Sequence, residues 1–185
     1  MAINEYHFKT HWKVNGTCME VYTILSDAEA LARWWPSVYL DVKEVEKGDV
    51  NSIGKKVKLF TKGWLPYTIR WDFEVIENIK PVTFTIKASG DLVGKGIWLL
   101  RQDGDHCNVS FDWRIEAEKR FLKTFSFILK PIFSANHKWA MKKGEESLKL
   151  ELQKRQQSVG LTGLSQVPPP PRPTFPHNFT NNKIL

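Results

Sequence analysis

The chain is predicted to be an α+β protein: one curved antiparallel sheet of about seven strands wrapped around a long C-terminal helix, with two short helices after the first strand. Three observations carry that prediction. Several segments between Val38 and Glu116 alternate apolar and polar residues and are separated by turn signals. A run free of helix breakers extends from Ile132 to about Gln157, roughly seven turns of helix. Between the first strand and the sheet proper lie two short stretches with helical spacing.

Taken in order, "YHFKTHWKV" (Tyr6 to Val14) alternates and is rich in aromatic and β-branched residues, the pattern of a strand. "NGT" turns the chain and offers Asn15 or Thr17 as a helix cap. "CMEVYTILSD" then places Met19, Val21, Tyr22 and Leu25 at helical spacing. "DAEALARWW" forms a second short helix, capped by Ser26 or Asp27 and stopped by Pro36.

Of the strands that follow, "VYLDVKEVEKGD" ends in a Lys-Gly-Asp turn and "GKKVKLFTKG" is closed by Gly63. "LPYTIRWDFEVIE" is the clearest, with Leu65, Tyr67, Ile69, Trp71, Phe73 and Val75 on one face. "VTFTIKAS" repeats the pattern with Val82, Phe84, Ile86 and Ala88. The hairpin "LVGKGIWLLRQDGDHCNVSFDWRIEAE" turns at Gln102-Asp103-Gly104-Asp105. Pairing Arg101 with His106 sets Trp98 opposite Val109, Gly96 opposite Phe111 and Gly94 opposite Trp113. Cys107, Val109, Phe111, Trp113 and Ile115 then point inward. Arg70 and Arg114 fall on the wet faces, where they are expected to pair with Asp72, Glu74, Asp112 or Glu116 across strands.

"KRFLKTFSFILK" reads as an amphipathic helix, and Pro131 either kinks it or starts a new one. Beyond it, Phe133, His137, Met141, Gly144, Leu148 and Leu152 share one face. Glycine costs about 1 kcal/mol against alanine in a helix interior, so close approach of a strand or ligand is expected at Gly144. After Ser158 the composition shifts to "VGLTGLSQVPPPPRPTFPHNFTNNKIL". Residues 1–157 are therefore the expected domain and 158–185 an extended or disordered proline-rich tail. Its PxxP pattern fits either a solvated terminus or a ligand of polyproline-recognition modules.

This order of elements resembles the helix-grip fold of the START-like (SRPBCC) superfamily, which includes polyketide cyclase/dehydrase-like proteins and pollen-allergen-like lipid carriers. The resemblance covers about Tyr6 to Leu152. It rests on that order, on the "GxGxWxL" strand (Gly94, Gly96, Trp98, Leu100), on "DWRIEAE", and on "NHKWAMKKGEESL" after "KPIF". It implies a cavity between sheet and helix. It does not choose among lipid carriers, hormone receptors, cyclases and hydrolase-like enzymes.

Composition narrows the classes further. Eight tryptophans and eleven phenylalanines suit both a core and an apolar cavity. The net charge of +7 permits an acidic partner, but no Lys/Arg run is interleaved with exposed aromatics, and nucleic acid is not expected. Cys18 and Cys107 lack CxxC spacing; two buried reduced thiols are expected, with a disulfide as the alternative. The five histidines have no ligand spacing and no Gly-rich loop precedes a helix, so neither a metal nor a cofactor is expected. "MAINEYHFKTHW" has no apolar h-region and no uncharged run approaches the roughly 20 residues of a membrane span; a soluble cytoplasmic protein is expected. "KRFLKTFSFILKPIF" interleaves lysines with large apolar residues, which suits either core packing or contact with a membrane surface.

Two functions follow. The first is binding or transport of a small hydrophobic or aromatic molecule, lipid- or polyketide-like, with Trp35, Trp64, Tyr67, Trp71, Trp98, Phe111, Trp113, His137 and Met141 as expected ligand contacts. The alternative is a cyclase or dehydratase using the same cavity, with His137 as acid/base. His137 has a third reading as a core residue hydrogen-bonded to a carbonyl or strand side chain. Trp34, Trp35 and Trp64 are expected near the cavity mouth, or in part as core.

Overall fold

A computed structural model describes residues 5–117, 120–159 and 167–174, with side chains described for residues 5–116, 130–158 and 167–174. The element order is β1 (Glu5–Asn15), α1 (Cys18–Ser26), α2 (Leu31–Trp34), β2 (Tyr39–Glu46), β3 (Lys56–Lys62), β4 (Thr68–Ile79), β5 (Thr83–Gly90), β6 (Leu92–Asp103), β7 (His106–Ala117) and α3 (Arg120–Val159). All seven strands form one antiparallel sheet in the order β1-β7-β6-β5-β4-β3-β2. The meander from β2 to β7 runs through neighbouring strands, and β1 pairs with β7 at the far edge. The α1–α2 segment therefore carries the chain from one edge of the sheet to the other. With α3 it covers the apolar face that a one-sided sheet must bury.

Local chemistry explains the short helices. Thr17 caps α1 through a capping box: its hydroxyl accepts the Glu20 N–H, and the Glu20 carboxylate accepts the Thr17 N–H at 2.7 Å. Cys18 turns inward where Met19 was expected; Met19 is 45% exposed. The Cys18 and Cys107 thiols are free and buried, with Sγ atoms 2.9 Å apart. The second helix is a single turn over Leu31–Trp34, shorter than its sequence pattern suggests. Its N-cap is Ala30, and the Asp27 carboxylate accepts the Ala30 N–H ahead of it.

The hairpin register differs from the expected one by two residues. The turn is the two-residue Gly104-Asp105, with Gly104 at φ +55°, so Asp103 pairs with His106. Trp98 then faces Phe111 and Gly96 faces Trp113. A shift of two preserves which side chains point inward, and Cys107, Val109, Phe111, Trp113 and Ile115 are all buried. A Cβ on Gly96 would lie 2.6 Å from the Trp113 ring, so the glycine makes room for it. In β4 the alternation holds until a bulge between Val75 and Glu77. Strand β5 begins at Thr83, which leaves Val82 46% exposed instead of inward. On the outer face Arg114 pairs with Asp112 of its own strand at 2.9 Å, two residues away, and Arg70 lies over the Phe60 ring.

Of the two outcomes expected at Pro131, a new helix start is not found: α3 runs through it for 40 residues, about 60 Å. The expected inward face is real. Phe133, Met141, Leu148 and Leu152 are buried. Gly144 has a specific neighbour, because a Cβ there would overlap the Trp35 ring. Two turns further on, Glu151 accepts two hydrogen bonds from the Arg33 guanidinium (2.9 and 2.8 Å) and one from Arg155. Burial pushes the Glu151 carboxyl up, but the Arg33 and Arg155 bonds outweigh it and hold it below its ordinary value. Helix α2 is thus tied to α3 by a ring in a glycine notch and by a paired carboxylate.

A Gly144→Ala variant tests the notch. Helix propensity alone would stabilise it by about 1 kcal/mol. Overpacking against a buried ring costs about 1–3 kcal/mol. Stability is expected to fall in urea denaturation; a rise would mean that Trp35 yields to the methyl group.

Among residues 167–174, Val167, Pro170, Pro171 and Pro173 are half-buried.

Candidate functional site

Between α3 and the strands lies an apolar cavity of about 190 Å³. Helix α3 runs close to β1, α1 and α2, and the space opens between it and the central strands. One wall is a file of rings. Trp98 stacks on Phe111 with centroids 4.1 Å apart, Phe111 on Trp113 at 5.4 Å, and Trp113 meets Trp71 at 5.6 Å. Trp12 and Phe84 pack against the other sides of Trp98. Successive inward positions of adjacent antiparallel strands bring these rings together, as β6–β7 pairing of Trp98 with Phe111 shows. Offset stacks of this kind hold each ring in place. The Trp71 indole N–H donates to Thr61 Oγ1 at 3.1 Å, which fixes its tilt.

The opposite wall is α3, with Phe133, Asn136, His137, Ala140 and Met141. His137 stacks on Phe8 of β1, with centroids 4.0 Å apart and planes 17° from parallel. Its Nε2 is buried and has no hydrogen-bond partner among the described residues. Burial lowers its pKa to about 4, so the ring is neutral at physiological pH. A buried polar atom without a partner costs about 1–3 kcal/mol, and a ligand hydroxyl or carbonyl would satisfy it.

At the end nearest the β3–β4 connection, Asn136 Oδ1 accepts the backbone N–H groups of Trp64 (2.8 Å) and Leu65 (3.2 Å). A Cβ on Gly63 would overlap the Asn136 side chain, so only glycine lets the loop close onto α3. Lys62, 3% exposed, lines the same end, and its burial lowers its pKa. Burial, with Tyr6 nearby, raises the pKa of Tyr67.

The structure brings together Trp35, Tyr67, Trp71, Trp98, Phe111, Trp113, His137 and Met141 around this one cavity. Trp64 is the exception. It is half-buried and does not line the cavity, because its backbone is the part that Asn136 holds against α3. Trp34 and Trp35 are both core rings, 1% and 2% exposed, and neither stands at an open mouth. Sequence reasoning missed Phe8, the partner of His137. It sits at an interior position of β1 with apolar–polar alternation on both sides, and nothing local marks it. It also missed Lys62, since a lysine closing a strand reads as solvated. The basic-aromatic stretch ahead of Pro131 has its side chains outside the described residues for every position but Lys130. Among the described residues no helix is long and apolar enough to cross a membrane.

No protein-family model and no curated protein sequence matches the chain. Solved structures do. The Zhui aromatase/cyclase from Streptomyces sp. R1128 superposes with a TM-score of 0.64 at 14% identity, over 84% of this chain and 98% of that one. A START superfamily protein from Mycobacterium smegmatis gives 0.61 at 12% identity, over 80% and 98%. A norcoclaurine synthase point mutant from Thalictrum flavum, in complex with a transition-state analogue, gives 0.56 at 13%, over 82% and 96%. At these identities the likeness is one of architecture: a seven-stranded curved sheet gripping a long C-terminal helix, the helix-grip fold.

Proposed function

We propose that the protein binds a small hydrophobic molecule in the cavity between sheet and α3, and that His137 orients it. The observation that carries this reading is the buried, unpartnered Nε2 of His137 in an otherwise apolar cavity of about 190 Å³. That size decides the ligand's scale. Pockets for drug-sized ligands run to roughly 300–1,000 Å³, and an apolar cavity of about 150 Å³ takes one benzene. The inner cavity therefore suits one aromatic ring or a short alkyl segment bearing a hydroxyl or carbonyl, in a soluble binding or transport protein. The structural neighbours support the general class, since helix-grip proteins include both carriers and cyclases.

The alternative, cyclase or dehydratase chemistry with His137 as acid/base, fits less well. An efficient general base has a pKa near the working pH, whereas burial holds His137 at about 4. A neutral imidazole of that kind is a better hydrogen-bond partner than a proton acceptor.

The test is titration calorimetry with phenol and toluene against the wild type and His137→Leu. Both probes are expected to bind the wild type, with phenol losing about two- to tenfold in the variant, as for a neutral hydrogen bond of about 0.5–1.5 kcal/mol, and toluene losing nothing. Failure of both probes to bind would refute the cavity reading.

A further inference from the structure

We propose that the ligand is a single aromatic ring with an oxygen function at each end, a hydroxyl that meets His137 and a carbonyl that meets Tyr39; this rests on the cavity reading above and narrows its ligand class. Tyr39 opens β2 and pairs with Thr61 of β3. Thr61 Oγ1 takes the indole N–H of the cavity residue Trp71, so this register position faces inward, and Tyr39 lines the cavity beside it. The Tyr39 backbone N–H donates to the Trp35 carbonyl at 3.1 Å, and its ring meets the Trp35 ring edge-on with centroids 5.1 Å apart. Trp35 in turn fills the notch at Gly144. The phenol ring is therefore held in place by its strand and by α2.

The hydroxyl at its tip is left over. It has no hydrogen-bond partner among the described residues, whereas a buried tyrosine hydroxyl ordinarily finds one. Burial raises its pKa, so it stays a neutral O–H at physiological pH. Other polar groups around the cavity are engaged. Thr61 serves Trp71, Asn136 holds the Trp64 and Leu65 N–H groups, and Tyr6, Lys62 and Tyr67 have partners of their own. Trp35, next to Tyr39, carries a further buried donor without a partner, its Nε1–H.

The two ends ask for different oxygens. Two donors on neighbouring rings suit a carbonyl oxygen with its two lone pairs. The neutral His137 imidazole carries a proton on only one nitrogen, and a ligand hydroxyl, which both donates and accepts, serves Nε2 in either tautomer. The spacing fits one ring. Gly144, where Trp35 is seated, lies seven residues beyond His137, about 10 Å along the helix. A six-membered ring with an oxygen at each end, and a hydrogen bond of about 2.8 Å beyond each oxygen, covers that distance. The cavity of about 190 Å³ has room for it, since about 150 Å³ takes benzene.

The experiment titrates toluene, 4-ethylphenol and 4-hydroxyacetophenone against wild type, His137→Leu and Tyr39→Phe. The two phenols share a shape and differ in the carbonyl, and Tyr39→Phe keeps the ring on Trp35 while removing only the hydroxyl. Tyr39→Phe should weaken 4-hydroxyacetophenone by about two- to tenfold and leave 4-ethylphenol and toluene unchanged. His137→Leu should weaken both phenols and spare toluene. Unliganded Tyr39→Phe should be at least as stable as wild type in urea, because the hydroxyl it loses has no partner in the protein. The proposal is overturned if Tyr39→Phe treats the two phenols alike, if wild type takes 4-ethylphenol but not 4-hydroxyacetophenone, or if the unliganded variant is less stable. Failure of wild type to bind any of the three probes refutes the cavity reading itself, a separate result.

Discussion

Replacing Trp98 by alanine is expected to lower stability by about 3–5 kcal/mol, the range for truncating a buried aromatic. The melting temperature of a chain this size should fall by on the order of 10 °C. The residue is 8% exposed and stands at the crossing of four rings, Trp12, Phe84, Phe111 and, through Phe111, Trp113. Its loss also joins the vacated volume to the cavity, so the variant should bind naphthalene better than wild type while losing stability without it. Calorimetric melting with and without naphthalene reads both effects. A variant as stable as wild type would show that the ring file repacks freely, against the offset stacking described above.

Acidification gives the second large effect. The unfolded chain takes up the His137 proton near the ordinary 6.5, and the folded protein only near 4. Between these values the unfolded state binds more protons, so stability falls as pH drops through that window. The contribution is fully present above about pH 6.5. At about 1.4 kcal/mol for each pH unit of difference it amounts to about 3 kcal/mol by pH 4. Urea denaturation at pH 7, 5.5 and 4.5 should show this loss in wild type, and a smaller one in His137→Leu, whose remaining slope comes from carboxylates such as Glu151. Equal slopes in the two proteins would place the imidazole in contact with water.

Much of this architecture is legible in the chain because alternation is a local property. The inward sets of β4 and β7 and the apolar face of α3 follow from spacing alone. Three features did not follow, each for a physical reason. The β6–β7 register depends on how many residues the turn spends, and a two-residue turn shifts every pair while leaving the faces intact. At Pro131 spacing left a kinked continuation and a new start both open; one helix runs through it because the packing of the rest of α3 outweighs a missing hydrogen bond and a ring clash, which propensity alone counts at about 3 kcal/mol. The partner of His137 comes from β1, some 130 residues earlier, and no local pattern records such a meeting. The notch at Gly144 lies between these cases: the glycine announces a close approach, but only the fold names Trp35.

The pairing of β1 solely with β7 has a consequence for how the molecule is made. The first strand has no neighbour in the sheet until about a hundred further residues have been synthesised. At roughly 5–20 residues per second that is a wait of about 5–20 seconds. Through that interval an amphipathic strand carrying Tyr6, Phe8 and Trp12 stands without its ladder, and its hydrogen-bonding edge is open to other chains. Closure of the sheet is the most non-local event in the fold, and such pairings fold slowly. The nascent chain, more than the finished domain, is therefore where the edge of β1 is open to misassembly.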